Sequence, residues 1–333
     1  MSVSPETVWA SSDKELQSLL ESGVLLPKTK KVKFYTPSFA YHKTSPNRLS
    51  HAKFPTISIT GKECALDCKH CEGKVLDNMY PAKTPRQLFE LAQKLKHDGS
   101  VGCLVSGGCL PNGSVPLKRF IPTLQRIKRE VGLTIIVHTG IINADTAKAL
   151  KDAEIDTALI DIIGSDSTIK QICKMDATIH DYEKSLRSLQ EAELNFVPHI
   201  IVGLHNGRLA GELQALRMVS KHPPSALVII SLMPIRGTEM ENILPPSPID
   251  IARVVTTARV MFPELPLALG CMRPKGKHRA ETDVLVLKAG VEAIAFPSEE
   301  AMEYAEANGF ESSFSPYCCS QIYLETTLRS VSK

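Results

Sequence analysis

The sequence has no long apolar run and no large excess of charge. No apolar stretch approaches the roughly 20 residues that a membrane-spanning helix needs, and residues 1–5 lack the basic-then-apolar pattern of a signal peptide. The formal net charge is only +3, so the charge balance gives no reason to expect a nucleic-acid or membrane-surface partner. These absences favour a cytoplasmic protein.

Internal repeats and low-complexity segments are also absent. Apolar residues make up 43% of the chain and charged residues 23%, which is ordinary for a globular protein. A length of 333 residues accommodates one α/β barrel of about 250 residues with extensions.

Three of the nine cysteines form a motif with metal-ligand spacing. Cys64, Cys68 and Cys71 follow an apolar strand in a C-x3-C-x2-C arrangement, and in a reducing compartment such thiols are available to metal. Three thiolates can hold three corners of a [4Fe–4S] cluster, whereas an electron-carrying cluster normally has four cysteines. A zinc knuckle or scattered buried thiols are the alternatives. Zinc would need a fourth Cys or His at finger-like spacing, and only His70 is near.

This spacing resembles the signature of the radical S-adenosylmethionine (radical SAM) superfamily, in which an aromatic residue precedes the third cysteine. His70 occupies that position here. The resemblance implies a [4Fe–4S] cluster on Cys64, Cys68 and Cys71, and an S-adenosylmethionine cofactor bound at the iron without a protein ligand. It also implies reductive cleavage to a 5′-deoxyadenosyl radical, driven by a reductant such as ferredoxin or flavodoxin.

The fold prediction rests on short Val/Ile-rich runs that alternate with amphipathic helices from Phe54 onward. Eight strands are predicted, at residues 55–60, 101–105, 133–137, 157–162, 196–202, 226–232, 267–269 and 293–296. They indicate an α/β fold, a (βα)8 TIM-like barrel over residues 51–300 with its chemistry at the C-terminal ends of the strands. An open, doubly wound sheet is the alternative. Residues 1–50 are predicted to be an N-terminal helical extension, and residues 301–333 a C-terminal tail that covers the barrel mouth.

Two glycine-containing loops and one buried carboxylate are candidates for cofactor contacts. The resemblance places Gly107 and Gly108 at the methionine amino group, although Cys109 replaces the usual acidic residue of that loop. It places Gly203 near the adenine, and tight turns are the alternative for both loops. Asp161 lies in an apolar strand, where a carboxylate needs a hydrogen bond or a cavity. The resemblance implies ribose or substrate binding, and a structural hydrogen bond is the alternative.

The remaining cysteines suggest a second iron–sulfur cluster. Cys103 lies within a strand and is predicted to be a core thiol. Five others follow strands or sit in the C-terminal run, and three or four of them could bind an auxiliary cluster: Cys109, Cys173, Cys271, Cys318 and Cys319. Unrelated buried thiols are the alternative, since non-adjacent ligands cannot be paired from sequence. Arg273 resembles the arginine that biotin synthases place against their auxiliary cluster.

The resemblance to biotin and lipoyl synthases implies sulfur insertion into an unactivated C–H bond. The chain lacks the cysteine triad found upstream in single-chain lipoyl synthases, because Cys64 is its first cysteine. It more closely resembles subunits of two-component lipoyl synthases, which implies an octanoyl carrier protein or small acyl substrate and a sister radical SAM subunit. The alternatives are a radical SAM methylase, mutase or ring-forming enzyme, and a cluster-bearing partner subunit without activity of its own.

Overall fold

A computed structural model describes residues 4–27, 29–37 and 53–324. Parts of both predicted extensions, including residues 38–50 and 325–333, lie outside the described residues. The N-terminal part contains two helices, α1 (Pro5–Ala10) and α2 (Asp13–Glu21). The Ser12 side chain accepts from the Glu15 N–H while Glu15 accepts from the Ser12 N–H, a capping box that fixes the start of the second helix.

The core of the fold is one sheet of eleven parallel strands. The strands are β1 (Lys31–Tyr35), β2 (Thr56–Ser58), β3 (Tyr80–Pro81), β4 (Gly102–Ser106), β5 (Thr134–His138), β6 (Thr157–Asp161), β7 (Phe196–Val202), β8 (Leu227–Ser231), β9 (Leu267–Leu269), β10 (Ala293–Ala295) and β11 (Glu311–Ser315). Their order is β11-β1-β10-β9-β8-β7-β6-β5-β4-β2-β3. All eight predicted strands are confirmed, and β1, β3 and β11 were not predicted.

Helices follow the strands and pack on one face of the sheet. They are α3 (Pro85–His97), α4 (Ile121–Glu130), α5 (Ala144–Asp152), α6 (Asp166–Gln171), α7 (Ile179–Glu191), α8 (Glu212–Ser220), α9 (Pro248–Met261), α10 (Lys277–Lys288) and α11 (Glu299–Ala307). At the start of α3, Thr84 and Gln87 form a capping box, with a proline at the first turn.

Alternate residues of each strand face opposite sides of the curled sheet. Ile135 and Val137 of β5 belong to the outer core that contains the helices, whereas Ile136 faces a second, inner core. Leu159 of β6 and Val197 of β7 also face inward. The fold is therefore a curled, barrel-like α/β sheet with an interior, as predicted, and the helices do not cover both faces as they would in a doubly wound sheet. It differs from the predicted eight-stranded barrel in having eleven strands, whose end strands β11 and β3 do not pair with each other.

The C-terminal tail fills much of this interior. Cys319, Ile322 and Tyr323 belong to the inner core together with side chains of β5 to β10. The Tyr323 hydroxyl lies 2.7 Å from Thr157 Oγ1 and donates to the Asp156 carbonyl at 3.0 Å, next to the N-terminal end of β6. The tail thus continues from the mouth, where it was predicted to lie, down to the opposite end of the strands.

Among the described residues no helix is both long and apolar enough to cross a membrane.

Candidate metal and cofactor site

The three-cysteine motif lies in the connection between β2 and β3, at the C-terminal edge of the sheet. Backbone hydrogen bonds tie this connection to two neighbouring loops. The Ala65 N–H donates to the Cys109 carbonyl after β4 (2.9 Å), and the Lys69 N–H donates to the Ile172 carbonyl after β6 (2.8 Å). The motif is therefore positioned by loops that follow adjacent parts of the sheet, as expected for a site at the mouth of a βα barrel.

The thiols of the motif are largely shielded from solvent. Cys68 is buried, and Cys64 and Cys71 are half-buried. The ligand atoms of Cys68, His70 and Cys71 lie within 4.8 Å of one another. The Cys64 sulfur instead lies 4.0 Å from the Cys109 carbonyl oxygen. Two of the three predicted ligand thiols, Cys68 and Cys71, are therefore close together, and the Cys64 thiol is turned towards the loop after β4.

The donor set fits the iron–sulfur centre that the spacing predicts. Soft thiolate ligands favour iron–sulfur clusters or zinc, and His70 Nδ1 is buried without a hydrogen-bond partner among the described residues. Hydrogen bonding with Cys68, together with burial, raises the pKa of Cys71 to about 12. Hydrogen bonding with Cys173 likewise raises the pKa of Cys68. Both thiols therefore carry protons in the metal-free state, and a metal that binds them releases those protons.

Gly108 allows the loop after β4 to lie directly against the cysteine loop. A Cβ at this position would collide with the Glu63 carbonyl and lie 2.6 Å from Cys64 Cα. The Gly108 N–H donates to Thr60 Oγ1 at 2.7 Å. The atoms nearest to a Cβ at Gly107 would be side-chain atoms of Thr60 and Ile59, at 3.1–3.2 Å. Of the two predicted cofactor-binding glycines, Gly108 thus has a packing requirement of its own.

Asp161 forms part of a polar cluster on the inner face of the sheet. His138, Asp161 and His199 each lie two residues beyond an inward-facing apolar residue. His138 and Asp161 are the last residues of β5 and β6, and His199 lies in the middle of β7. His138 Nε2 lies 3.4 Å from Asp161 Oδ1, and the two imidazole centroids are 6.1 Å apart. We predicted Asp161 as a site residue but not this cluster. Strand alternation could have indicated that each of these side chains shares a face with its inward apolar neighbour, but their proximity to one another depends on the strand register.

The cluster combines an ion pair with a neutral imidazole. Burial alone would raise the pKa of Asp161, but the charge of His138 and its hydrogen bond outweigh burial and lower it. Burial alone would lower the pKa of His138, but the charge of Asp161 and its hydrogen bond outweigh burial and raise it. Burial lowers the pKa of His199 to about 4, and its Nδ1 lies 3.2 Å from the Val197 carbonyl. The neutral His199 ring therefore retains Nε2 as an acceptor towards the interior.

Gly203, the third predicted cofactor-binding glycine, sits in a turn with φ +75°, a conformation that favours glycine. Its N–H donates to Glu212 Oε1 at 2.8 Å, and a Cβ would lie 2.7 Å from the Pro246 ring. Turn geometry and packing therefore account for glycine at this position, and the predicted adenine contact remains a prediction.

The other cysteines divide into two groups. Cys109 and Cys173 lie beside the three-cysteine motif, since their carbonyl oxygens contact Cys64 and Cys68 respectively. Cys271, Cys318 and Cys319 form a second group. Cys103 is 1% exposed within the core, as predicted.

The second group brings together thiols that are about 50 residues apart in the chain. Hydrogen bonds from Cys319 and Ser320 lower the pKa of Cys318 to about 7, and Ser320 Oγ lies 3.2 Å from Cys318 Sγ. Burial of the thiol and the charge of Cys318 raise the pKa of Cys271, although Cys271 as a residue is exposed. Of the described residues, only Cys68, His70 and Cys71 have three ligand atoms within 4.8 Å. The second group would thus need side-chain rotation to share one cluster.

Arg273 is fully buried, and its donors are used by the protein itself. It forms a bidentate ion pair with Asp283 at 2.7 and 2.9 Å and donates to the carbonyls of Gly270 and Ala295 at 2.6 and 2.8 Å. These bonds give Arg273 a structural role, tying the loop after β9 to α10 and β10, and its contact with an auxiliary cluster remains a prediction.

Comparison with known proteins gives the same class as the fold and the motif. Residues 58–207 match the family model described as Radical SAM superfamily. A biotin synthase of Leptospira biflexa is 27% identical over 226 residues, covering 65% of this chain and 62% of the relative. A biotin synthase of Aromatoleum aromaticum is 26% identical over 260 residues, covering 75% and 77% respectively. The chain thus spans about three fifths of the first of these relatives.

Solved structures agree in fold. HydG, a maturase of the [FeFe]-hydrogenase, superposes with a TM-score of 0.65 at 15% identity, covering 99% of this chain and 77% of HydG. Methylornithine synthase (PylB) gives 0.63 at 15% identity, covering 94% and 95%. Residues 58–207, which include the three-cysteine motif, match the radical S-adenosylmethionine superfamily. The chain is similar in sequence to biotin synthases, and a radical SAM domain implies a [4Fe–4S] cluster and S-adenosylmethionine as cofactors.

Proposed function

We propose that this chain is a radical SAM enzyme that inserts sulfur into an unactivated C–H bond, as one subunit of a two-component lipoyl synthase. Its substrate would be an octanoyl group on a carrier protein, its partner a sister radical SAM subunit, and its reductant ferredoxin or flavodoxin. The resemblance to biotin and lipoyl synthases supports the reaction type. Residues 1–63 contain no cysteine, so the segment directly upstream of the motif lacks the triad of single-chain lipoyl synthases, which favours the two-component assignment.

The observation that carries the proposal is the presence of two separate thiol groups around one interior. Cys64, Cys68 and Cys71 would hold the [4Fe–4S] cluster. Cys271, Cys318 and Cys319 would hold an auxiliary iron–sulfur centre, the source of sulfur. Sulfur insertion needs a sulfur donor, and a cluster on the second group would supply one.

The other residues of the interior would position ligands and exclude water. Bound together, the cluster and S-adenosylmethionine supply a 5′-deoxyadenosyl radical, which is chemistry of the cofactors rather than of the protein. Asp161, kept ionised by His138, offers a carboxylate acceptor to the hydroxyls of a bound nucleoside. The tail, through Ile322 and Tyr323, closes the interior at the N-terminal end of the strands, which keeps solvent away from reactive species.

Iron counting on matched cysteine variants tests the proposal. Anaerobically reconstituted wild type should contain about eight irons per chain, and a Cys271→Ala, Cys319→Ala double variant about four, since each [4Fe–4S] cluster contributes four. Cys103→Ala, which removes a core thiol outside both groups, is the control and should retain the wild-type content. The double variant should still release 5′-deoxyadenosine from S-adenosylmethionine but form no sulfur-containing product.

Two outcomes would contradict parts of this assignment. About four irons in wild type, unchanged in the double variant, would remove the auxiliary centre and favour a methylase, mutase or ring-forming enzyme. Full iron content without 5′-deoxyadenosine release under strong reductant would favour a cluster-bearing partner subunit.

A further inference from the structure

A cleft of about 520 Å³ lies outside the interior, between the loop after β4, the loop after β5 and helix α7. Its apolar part includes Leu110, Val115 and Ile141, and its charged rim includes Lys118, Lys184 and Arg187. Leu110 is 44% exposed. A concave surface that combines exposed apolar groups with several cations is suited to an anionic partner.

The rim carries an excess of positive charge. Asp181 is its carboxylate, and one of its oxygens accepts from Thr178 at the start of α7 (2.9 Å to N, 3.0 Å to Oγ1), while the other lies 4.0 Å from Lys184. Lys118 and Arg187 have no ion pair within the part of the chain that the structure describes. Two cations thus face the cleft without a counterion among these residues.

The surface of the cysteine loop carries fewer unpaired cations. Three lysines on or beside it are paired with carboxylates, Lys62 with Asp77 at 2.8 Å, Lys69 with Glu239 at 3.1 Å, and Lys83 with Glu63 at 2.5 Å, whereas Lys74 has no ion pair among the described residues. The cleft therefore adds two unpaired cations and an exposed apolar wall to the charge near the motif.

The cleft is also connected to the motif by a short path. Leu110, on the cleft wall, directly follows Cys109. The Cys109 carbonyl accepts from the Ala65 N–H (2.9 Å) and lies 4.0 Å from the Cys64 sulfur. One peptide group and one contact therefore separate the cleft surface from a predicted cluster ligand. A partner seated here would come close to the metal loop without blocking the barrel mouth.

We propose that this cleft is the docking surface for a small acidic ferredoxin-type electron-transfer protein. The inference rests on the proposed function, because it presumes a redox centre on Cys64, Cys68 and Cys71. The ferredoxin gives up one electron and is oxidised, the centre of this chain is reduced by that electron, and no proton needs to move. The interface would be small and guided by charge, as is typical of transient electron-transfer complexes.

The test is a charge reversal that is compared with a matched reversal elsewhere. The probe is a small, acidic, bacterial-type [4Fe–4S] ferredoxin. We expect its affinity for a Lys118→Glu, Arg187→Glu double variant to be about tenfold lower than for wild type at low salt. Wild-type affinity should fall with added salt, and that of the variant should change little. The control is Lys14→Glu with Lys94→Glu, two exposed cations outside the cleft, and it should bind like wild type.

Turnover with two reductants separates this inference from the proposed function. With dithionite, the cleft variant should release 5′-deoxyadenosine within about twofold of wild type, whereas with ferredoxin it should be about tenfold slower at subsaturating donor. Equal ferredoxin binding by wild type and cleft variant, or an equal loss in the control pair, would overturn the docking site. Loss of binding to an acyl carrier domain alone would also overturn it, in favour of a substrate-docking role. Inactivity of wild type with dithionite would instead count against the proposed function, and the binding comparison would still be readable.

Discussion

Gly108 is the residue at which the loop after β4 touches the backbone of the cysteine loop. Its neighbours on that side are main-chain atoms of Glu63 and Cys64, which cannot rotate away as a side chain can. Because glycine has no Cβ, the two loops that border the metal site can lie this close to each other.

We predict that Gly108→Ala lowers the iron content of anaerobically reconstituted protein to less than half that of wild type. The added Cβ must displace the cysteine loop, at a cost of about 1–3 kcal/mol for overpacking. Gly107→Ala is the matched control, because its Cβ would meet the movable Thr60 side chain. Circular dichroism should show that both variants remain folded. Equal iron content in the two variants would show that the contact does not position the loop.

His199 links the polar interior to the pH dependence of stability. Its folded pKa of about 4 lies below the value of about 6.5 for an unfolded histidine. The unfolded chain therefore binds the proton more tightly than the folded protein. The contribution of neutral His199 to the free energy of unfolding is fully present above pH 6.5 and is lost as the pH falls towards 4.

We expect wild type to lose about 1 kcal/mol of unfolding free energy through this residue between pH 7.5 and 5.5. A His199→Asn variant should show a flatter profile over that interval, measured by urea denaturation. His97→Asn, at an exposed position of α3, should retain the wild-type slope. A His199→Asn profile parallel to that of wild type would mean that the imidazole already titrates normally in the folded protein.

At the scale of elements, the C-terminal tail takes the place that side chains of the strands fill in a closed barrel. Small inward residues of β9 and β10, such as Ala268, Ala293 and Ala295, leave room for it. Tyr323 anchors its far end by hydrogen bonds to the start of β6. The tail therefore depends on a polar contact at the base as well as on apolar packing.

Replacing Tyr323 by Phe should lower the free energy of unfolding by about 1–3 kcal/mol, because the buried Thr157 hydroxyl and Asp156 carbonyl lose a partner. Urea denaturation measures the change. Tyr80→Phe is the control, since Tyr80 is 47% exposed on β3, and it should stay within about 0.5 kcal/mol of wild type. A neutral result for Tyr323→Phe would place the stabilisation of the tail in apolar contacts alone.

The elements that the sequence predicted are those with a strong local pattern. The strands from β4 to β10 are apolar runs, and Thr84-Pro85 marks the start of α3 by a known cap. β1 was missed because lysines alternate with its apolar residues. β11 was missed because most of its residues are polar and exposed. Such strands exist through pairing with distant partners rather than through local preference.

The candidate site was predictable to a different extent in its two parts. The spacing of Cys64, Cys68 and Cys71 carries chemical information within eight residues, so a single segment was enough. The interior cluster of His138, Asp161 and His199 depends on the register of three strands. The division of the other cysteines into two groups depends on the path of the tail. No local pattern encodes either of these.

On the scale of the whole molecule, the pairing of β1 sets the order in which the chain can be completed. Both neighbours of β1 in the sheet, β10 and β11, are encoded about 260 residues or more downstream. At a synthesis rate of about 5–20 residues per second, the nascent β1 must wait tens of seconds on the ribosome before either neighbour emerges. An early strand with two unsatisfied edges for that long is a natural substrate for chaperones during translation.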